Sequence, residues 1–104
     1  MAAEPAGLET LHPEALAELR EAVVWYRDRA GEATRFLAEV TRIIEELARA
    51  PTRWPILRNV KPPTHCRVLP SYPYTVFYRA TDSGILIVSI AHHKREPLYW
   101  THRR

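Results

Sequence analysis

The apolar residues of this chain change their period once, at Pro51, and that change limits the fold more than any other feature. Before it, Leu16, Leu19, Val23 and Tyr26 recur at spacings of 3, 4 and 3, with Ala15, Ala22 and Ala30 beside them. A second stripe follows at Ala33, Phe36, Leu37, Val40, Ile43, Ile44 and Leu47. Both are helical periods. After Pro51, β-branched and aromatic residues gather in short runs, as strands prefer. The chain therefore reads as α+β, with helices first and strands after.

The helices are expected over Pro13 to Ala30 and Glu32 to Ala50. Pro13 suits a first helical position, where its missing N–H leaves nothing unpaired. Glu14, Glu18 and Glu21 lie near that helix start, where the dipole favours anions. Gly31 is the expected C-terminal stop. Pro51 ends the second helix, because its ring cannot continue one. So short a break favours antiparallel packing. Trp25 and Tyr26 are neighbours, so one is expected in the core and the other at its edge.

Gly7 to Leu11 alternates weakly and marks a short first strand. Pro51, Pro55, Pro62 and Pro63 make the next stretch a connector carrying Arg53, Arg58 and Lys61. Three strands are expected at Thr64–Leu69, Tyr74–Arg79 and Ile85–Ala91. Thr81-Asp82-Ser83-Gly84 is a hairpin turn, and Pro70 to Pro73 another, so the strands form a meander. The third strand is the most apolar and is expected to be central. One domain over residues 1–104 results, with a helical hairpin at about 13–50 and a sheet with a basic tail at about 64–104.

Charge divides at the same place as periodicity. Residues 1–50 carry 6 Arg against 10 Asp and Glu, a balance of −4. Residues 51–104 carry 7 Arg and 2 Lys against Asp82 and Glu96, a balance of +7. The second half also holds His65, His92, His93 and His102. A polyanion or an acidic partner is expected there. No apolar run approaches the ~18 residues of a membrane span. No basic-then-apolar leader opens the chain. The single cysteine, Cys66, fits a reducing compartment, so the cytoplasm is expected. With 3 glycines there is no phosphate-cradling loop, and no cofactor is expected. His65, Cys66, His92 and His93 lack a metal-ligand spacing, so no metal is expected either.

The tail from His92 to Trp100 concentrates ionisable and aromatic groups. Cleavage of RNA through the 2′-hydroxyl needs a base, cations for the phosphate and an acid for the leaving oxygen. His92, His93 or Tyr99 can exchange protons. Arg67, Arg79 and Arg95 can grip a phosphate. Tyr99 or Trp100 can stack on a base, and Lys61 and Lys94 add positive charge. Neighbouring strand residues point to opposite faces, so only one of His92 and His93 can serve a given site. Tyr99 and Trp100 can equally pack the chain end onto the sheet.

Four segments carry a resemblance. They are Glu21-Ala22-Val23-Val24-Trp25-Tyr26; Phe36-Leu37 with the stripe running to Pro51; Tyr72-Pro73-Tyr74-Thr75-Val76-Phe77-Tyr78-Arg79; and Ala91-His92-x-x-Arg95-x-Pro97-x-Tyr99-Trp100. In this order they resemble the RelE/ParE superfamily of type II toxin–antitoxin toxins, which includes plasmid stabilisation proteins. The resemblance implies a helical hairpin packed on a twisted antiparallel sheet, completed by an N-terminal strand. It implies two modes of action in the family: RelE-like members cleave mRNA in the ribosome, and ParE-like members inhibit DNA gyrase. It also implies roles. Arg67 resembles an arginine on the family's second strand, and Tyr99 its C-terminal tyrosine. His92 or His93 falls where a basic or imidazole residue follows the last strand, and Lys61 is the candidate for the catalytic lysines. With only 2 lysines, the chain departs from the lysine-rich pattern toward a histidine–tyrosine–arginine variant. The expected function is a metal-independent, ribosome-dependent mRNA endoribonuclease that inhibits translation. In that reading Arg67, His92, His93, Arg95 and Tyr99 are catalytic, and Lys61, Arg79, Lys94 and Trp100 bind RNA. The alternatives are a gyrase-binding toxin without enzymatic activity and an inert antitoxin-binding member. Expected partners are an acidic antitoxin from an adjacent gene, with ribosome and mRNA or gyrase as target.

Overall fold

A computed structural model describes residues 10–104. Helix α1 spans Pro13–Arg27 and α2 spans Glu32–Arg49. His12 caps α1, its Nδ1 accepting the Glu14 N–H at 3.1 Å. The helix ends at Arg27, earlier than the expected Ala30. Its last turn closes through Arg29 N–H to the Tyr26 carbonyl, and the chain then turns through Asp28–Gly31. Gly31 is not the stop of α1 but the residue that starts α2, at φ +75°. Side chains rarely adopt that conformation, so glycine is required there by the reversal into α2.

Four strands follow: β1 at Ile56–Leu57, β2 at Thr64–Val68, β3 at Tyr74–Thr81 and β4 at Gly84–His92. They form one antiparallel sheet in sequence order. The proline-rich connector thus contributes a two-residue edge strand that its prolines did not suggest. Pro55 tolerates the place because its carbonyl, not a missing N–H, bonds the Cys66 N–H at 2.9 Å.

The most apolar strand, expected to be central, has a full strand on one side only and, among the described residues, is met on the other at Ile87 alone. β3 is paired on both sides, and β4 lies at the end of the sheet. β4 is apolar because both its faces are covered. On one, Ile87 and Ile90 meet Ala15, Leu19 and Tyr26 of α1 and Phe36, Val40, Ile43 and Leu47 of α2. On the other, Val88 packs with Trp100 and Val60, and Trp100 lies 4.5 Å from the Phe77 ring. The C-terminal segment therefore serves as the second covering layer. Leu37, counted in the α2 stripe, is 42% exposed, because that stripe is wider than the face in contact.

The expected first strand is represented by Leu11, which bridges Ile87 in parallel. Thr10 C=O accepts the Ile87 N–H at 2.6 Å, and the His12 N–H donates to Ile87 C=O at 2.8 Å. Residues 7–9 of that strand lie outside the described residues. No helix among the described residues is long and apolar enough to cross a membrane.

Neighbouring residues of α2 test this packing. Phe36 is fully buried, so Phe36→Ala is expected to cost roughly 3–5 kcal/mol in urea unfolding, whereas Leu37→Ala should cost under about 1 kcal/mol.

Candidate functional site

A cleft of about 460 Å³ opens between α1 and the end of β4. The α1 spacing of 18, 21, 22 and 25 puts Glu18, Glu21, Ala22 and Trp25 along one wall. His92, Lys94 and Arg95 form the other, with Tyr74 and Ile90 between. Lys94 and Arg95 lie in the turn after β4, which is closed by two bonds to His92. The Arg95 N–H reaches His92 C=O and the Lys94 N–H reaches His92 Nδ1, each at 3.0 Å. Arg95 lies 3.8 Å over the Tyr99 ring, so Tyr99 supports that wall.

At the end of the cleft stands a buried polar network centred on Glu18, whose side chain is 12% exposed. Arg103 binds it in a fork, Nη1 to Oε1 at 3.0 Å and Nη2 to Oε2 at 3.1 Å. Tyr99 donates its hydroxyl proton to Oε2. Ser89 Oγ and the Ile90 N–H each donate to Oε1 at 3.0 Å. Arg103 Nη1 also donates to Val88 C=O at 3.0 Å. Burial acts to raise the Glu18 pKa, but the bonds from Arg103, Tyr99 and Ile90 outweigh it and hold the carboxyl below its ordinary value. Burial, then the bond to Glu18, keeps the Tyr99 phenol above its ordinary value.

The structure brings the sequence-predicted residues together in part: His92, His93, Arg95, Tyr99 and Trp100 line a second, smaller cavity of about 230 Å³ on the tail side of β4. His92, Lys94, Arg95 and Tyr99 line the cleft. His93 is absent from the α1-side cleft and lines the smaller cavity instead, its Nε2 lying 3.0 Å from Thr75 Oγ1. Arg67 lies on β2, two strands and roughly 10 Å from Ile90 in register. Its guanidinium donates to Val68 C=O at 2.7 Å and stacks 4.3 Å from the Trp54 ring. Arg79 is 6% exposed and donates to Thr64 Oγ1 at 3.0 Å and to Arg103 C=O at 2.5 Å. Lys61 is exposed in the loop joining β1 to β2, at the opposite edge of the sheet. Trp100 is 1% exposed, within the tail-side core.

Glu18, Ser89 and Arg103 were not anticipated. Ser89 left a signal: a lone hydroxyl in the run Ile85–Ile90 must find a buried partner. Glu18 borders the stripe Ala15–Leu19–Ala22 and is near enough to the core to supply one. Arg103 carries no local signal, because its partner is 85 residues away.

Removing the carboxylate leaves the buried Arg103 with only the half-exposed Glu14 carboxylate at 3.6 Å and the Val88 carbonyl, so Glu18→Ala is expected to cost about 3 kcal/mol. A carboxyl with a folded pKa below its unfolded one stabilises fully above the unfolded value, about 4.3. That stability is lost as pH falls through the lower, folded value. Urea titrations from pH 7 to pH 3 should therefore show a steeper acid loss in the native protein than in Glu18→Gln.

The ParE toxin family of type II toxin–antitoxin systems (parDE) matches residues 10–97. No curated protein and no solved structure matches the chain significantly. The match spans both helices, all four strands and the turn after β4, ending before Tyr99 and Arg103, and the chain belongs to the ParE toxin family.

Proposed function

We propose that this toxin acts by binding a protein of the replication machinery, DNA gyrase, rather than by cleaving RNA. The observation that carries the reading is the state of Tyr99. Its hydroxyl is held by Glu18 beside Ser89, and its pKa lies above the ordinary value. A phenol so held stays neutral and commits its proton to Glu18, so it is poorly suited to act as a general base or to protonate a leaving oxygen. Of the arginines expected to hold a phosphate, Arg67 is engaged beside Trp54 and Arg79 beneath the tail, which leaves Arg95 alone beside the imidazoles. Family membership points the same way, since ParE-like toxins are gyrase inhibitors.

The ribonuclease reading retains two favourable observations: His92, Lys94 and Arg95 share a cleft, an imidazole beside two cations, and His92, His93, Arg95 and Tyr99 line the smaller cavity beside it. Membership of a type II toxin–antitoxin family also implies an antitoxin. We take it to be small and acidic, encoded by the adjacent gene and active in the cytoplasm with its toxin.

Purified protein should inhibit DNA supercoiling by gyrase and leave mRNA on programmed ribosomes uncut in toeprinting. Tyr99→Phe, folded by circular dichroism, should keep gyrase inhibition within a few-fold. A tyrosine used in proton transfer would instead lose roughly 10²-fold in cleavage. Codon-dependent cleavage, abolished in Tyr99→Phe or His92→Ala, would overturn the proposal.

A further inference from the structure

We infer that the cleft between α1 and the turn after β4 is where the toxin grips its protein target, and that it takes an acidic segment bearing one bulky apolar side chain. This rests on the protein-binding reading above and adds the place and the chemistry.

The apolar part of the cleft centres on Trp25, which is 55% exposed. It is nonetheless held in place. Arg29 lies 3.4 Å over its ring and donates to the Trp25 carbonyl at 2.6 Å. Tyr26 packs edge-on at 4.9 Å, and behind it rings continue through Phe36, Tyr72 and Tyr74 to His92. An exposed tryptophan fixed from two sides loses little freedom on binding, which suits an interface anchor. Val24 beside it is 54% exposed, so the two side chains leave apolar surface together beside the cavity.

Charge selects the partner's class. The wall opposite Trp25 carries Lys94, Arg95 and His92, while Glu21 stands on the α1 wall. Glu18 is neutralised by Arg103. A nucleic-acid strand is anionic along its whole length and would run its phosphates past Glu21 as well as past Lys94. A peptide carries its charges separately. It can set a carboxylate against Lys94 and Arg95, an aromatic or aliphatic side chain against Trp25 and Tyr74, and a neutral or basic residue beside Glu21. Two walls of opposite sign around an aromatic floor fit the peptide better.

The test uses the full chain, purified gyrase and three variants: Lys94→Glu and Trp25→Ala in the cleft, and Arg58→Glu on an exposed loop at the opposite edge of the sheet. Lys94→Glu and Trp25→Ala should each weaken binding and supercoiling inhibition at least about 10-fold, and Arg58→Glu by less than about threefold. Equal weakening by Lys94→Glu and Arg58→Glu would reduce the effect to net charge and overturn the assignment. So would full inhibition by both cleft variants, which would leave the gyrase reading intact. If the native protein leaves gyrase untouched, the functional reading fails and the docking site with it. A parallel titration with single-stranded oligouridylate, followed by tryptophan emission, covers the other macromolecule. Saturable binding that Lys94→Glu abolishes would make the cleft an RNA site and overturn the inference.

Discussion

The forked pair between Glu18 and Arg103 joins the first helix to the last turn of the chain, and most of the unusual features of the fold depend on it. A buried ion pair gains little net stability when its desolvation is counted. Here both carboxylate oxygens and both terminal guanidinium nitrogens are hydrogen-bonded, which offsets much of that penalty, while Arg103 Nε has only the Glu14 carboxylate at 3.6 Å. Through it the outer edge of β4 is closed: Glu18 accepts the Ile90 N–H and Arg103 donates to the Val88 carbonyl. Higher up the strand, Thr10 and His12 close the edge at Ile87. A strand with its edge covered this way is protected from pairing with another chain.

The same pair seats the tail. With Arg103 anchored on α1, Trp100 lies against Phe77 and Val88, and the second face of the sheet needs no further helix. Arg79 completes the seat from below by donating to the Arg103 carbonyl. Tyr99, held by Glu18, carries Arg95 over its ring and so builds one wall of the cleft. The candidate site and the closure of the fold therefore share residues.

This sharing explains why the site was only partly legible in the sequence. His92, Lys94, Arg95 and Tyr99 are close in the chain, so their density was visible and they do line one cleft. Arg67 and Arg79 were grouped with them by residue type, but the sheet separates them. Pair geometry gives Arg67 to Trp54 on one face, and burial gives Arg79 to the tail on the other. The basic balance of residues 51–104 likewise overstated the free positive surface, because Arg103 meets Glu18 from the acidic half. The fold was more legible, because helix period and strand composition are local properties. Where it misled, as with β4, an apolar run reported two covered faces and was read as two paired edges.

Periodicity, proline placement and turn residues determined by themselves the order of elements, the antiparallel hairpin of helices and the meander of strands. Each follows from backbone geometry within a few residues. Only the tertiary structure decided that β4 ends the run of four strands with its outer edge closed by residues 10–12, Glu18 and Arg103, that His92 rather than His93 faces the α1-side cleft, and that the tyrosine of the tail is bound to a carboxylate on the first helix. Those outcomes depend on partners up to 85 residues apart, and no local pattern encodes which of several acidic side chains an arginine near the chain end will meet.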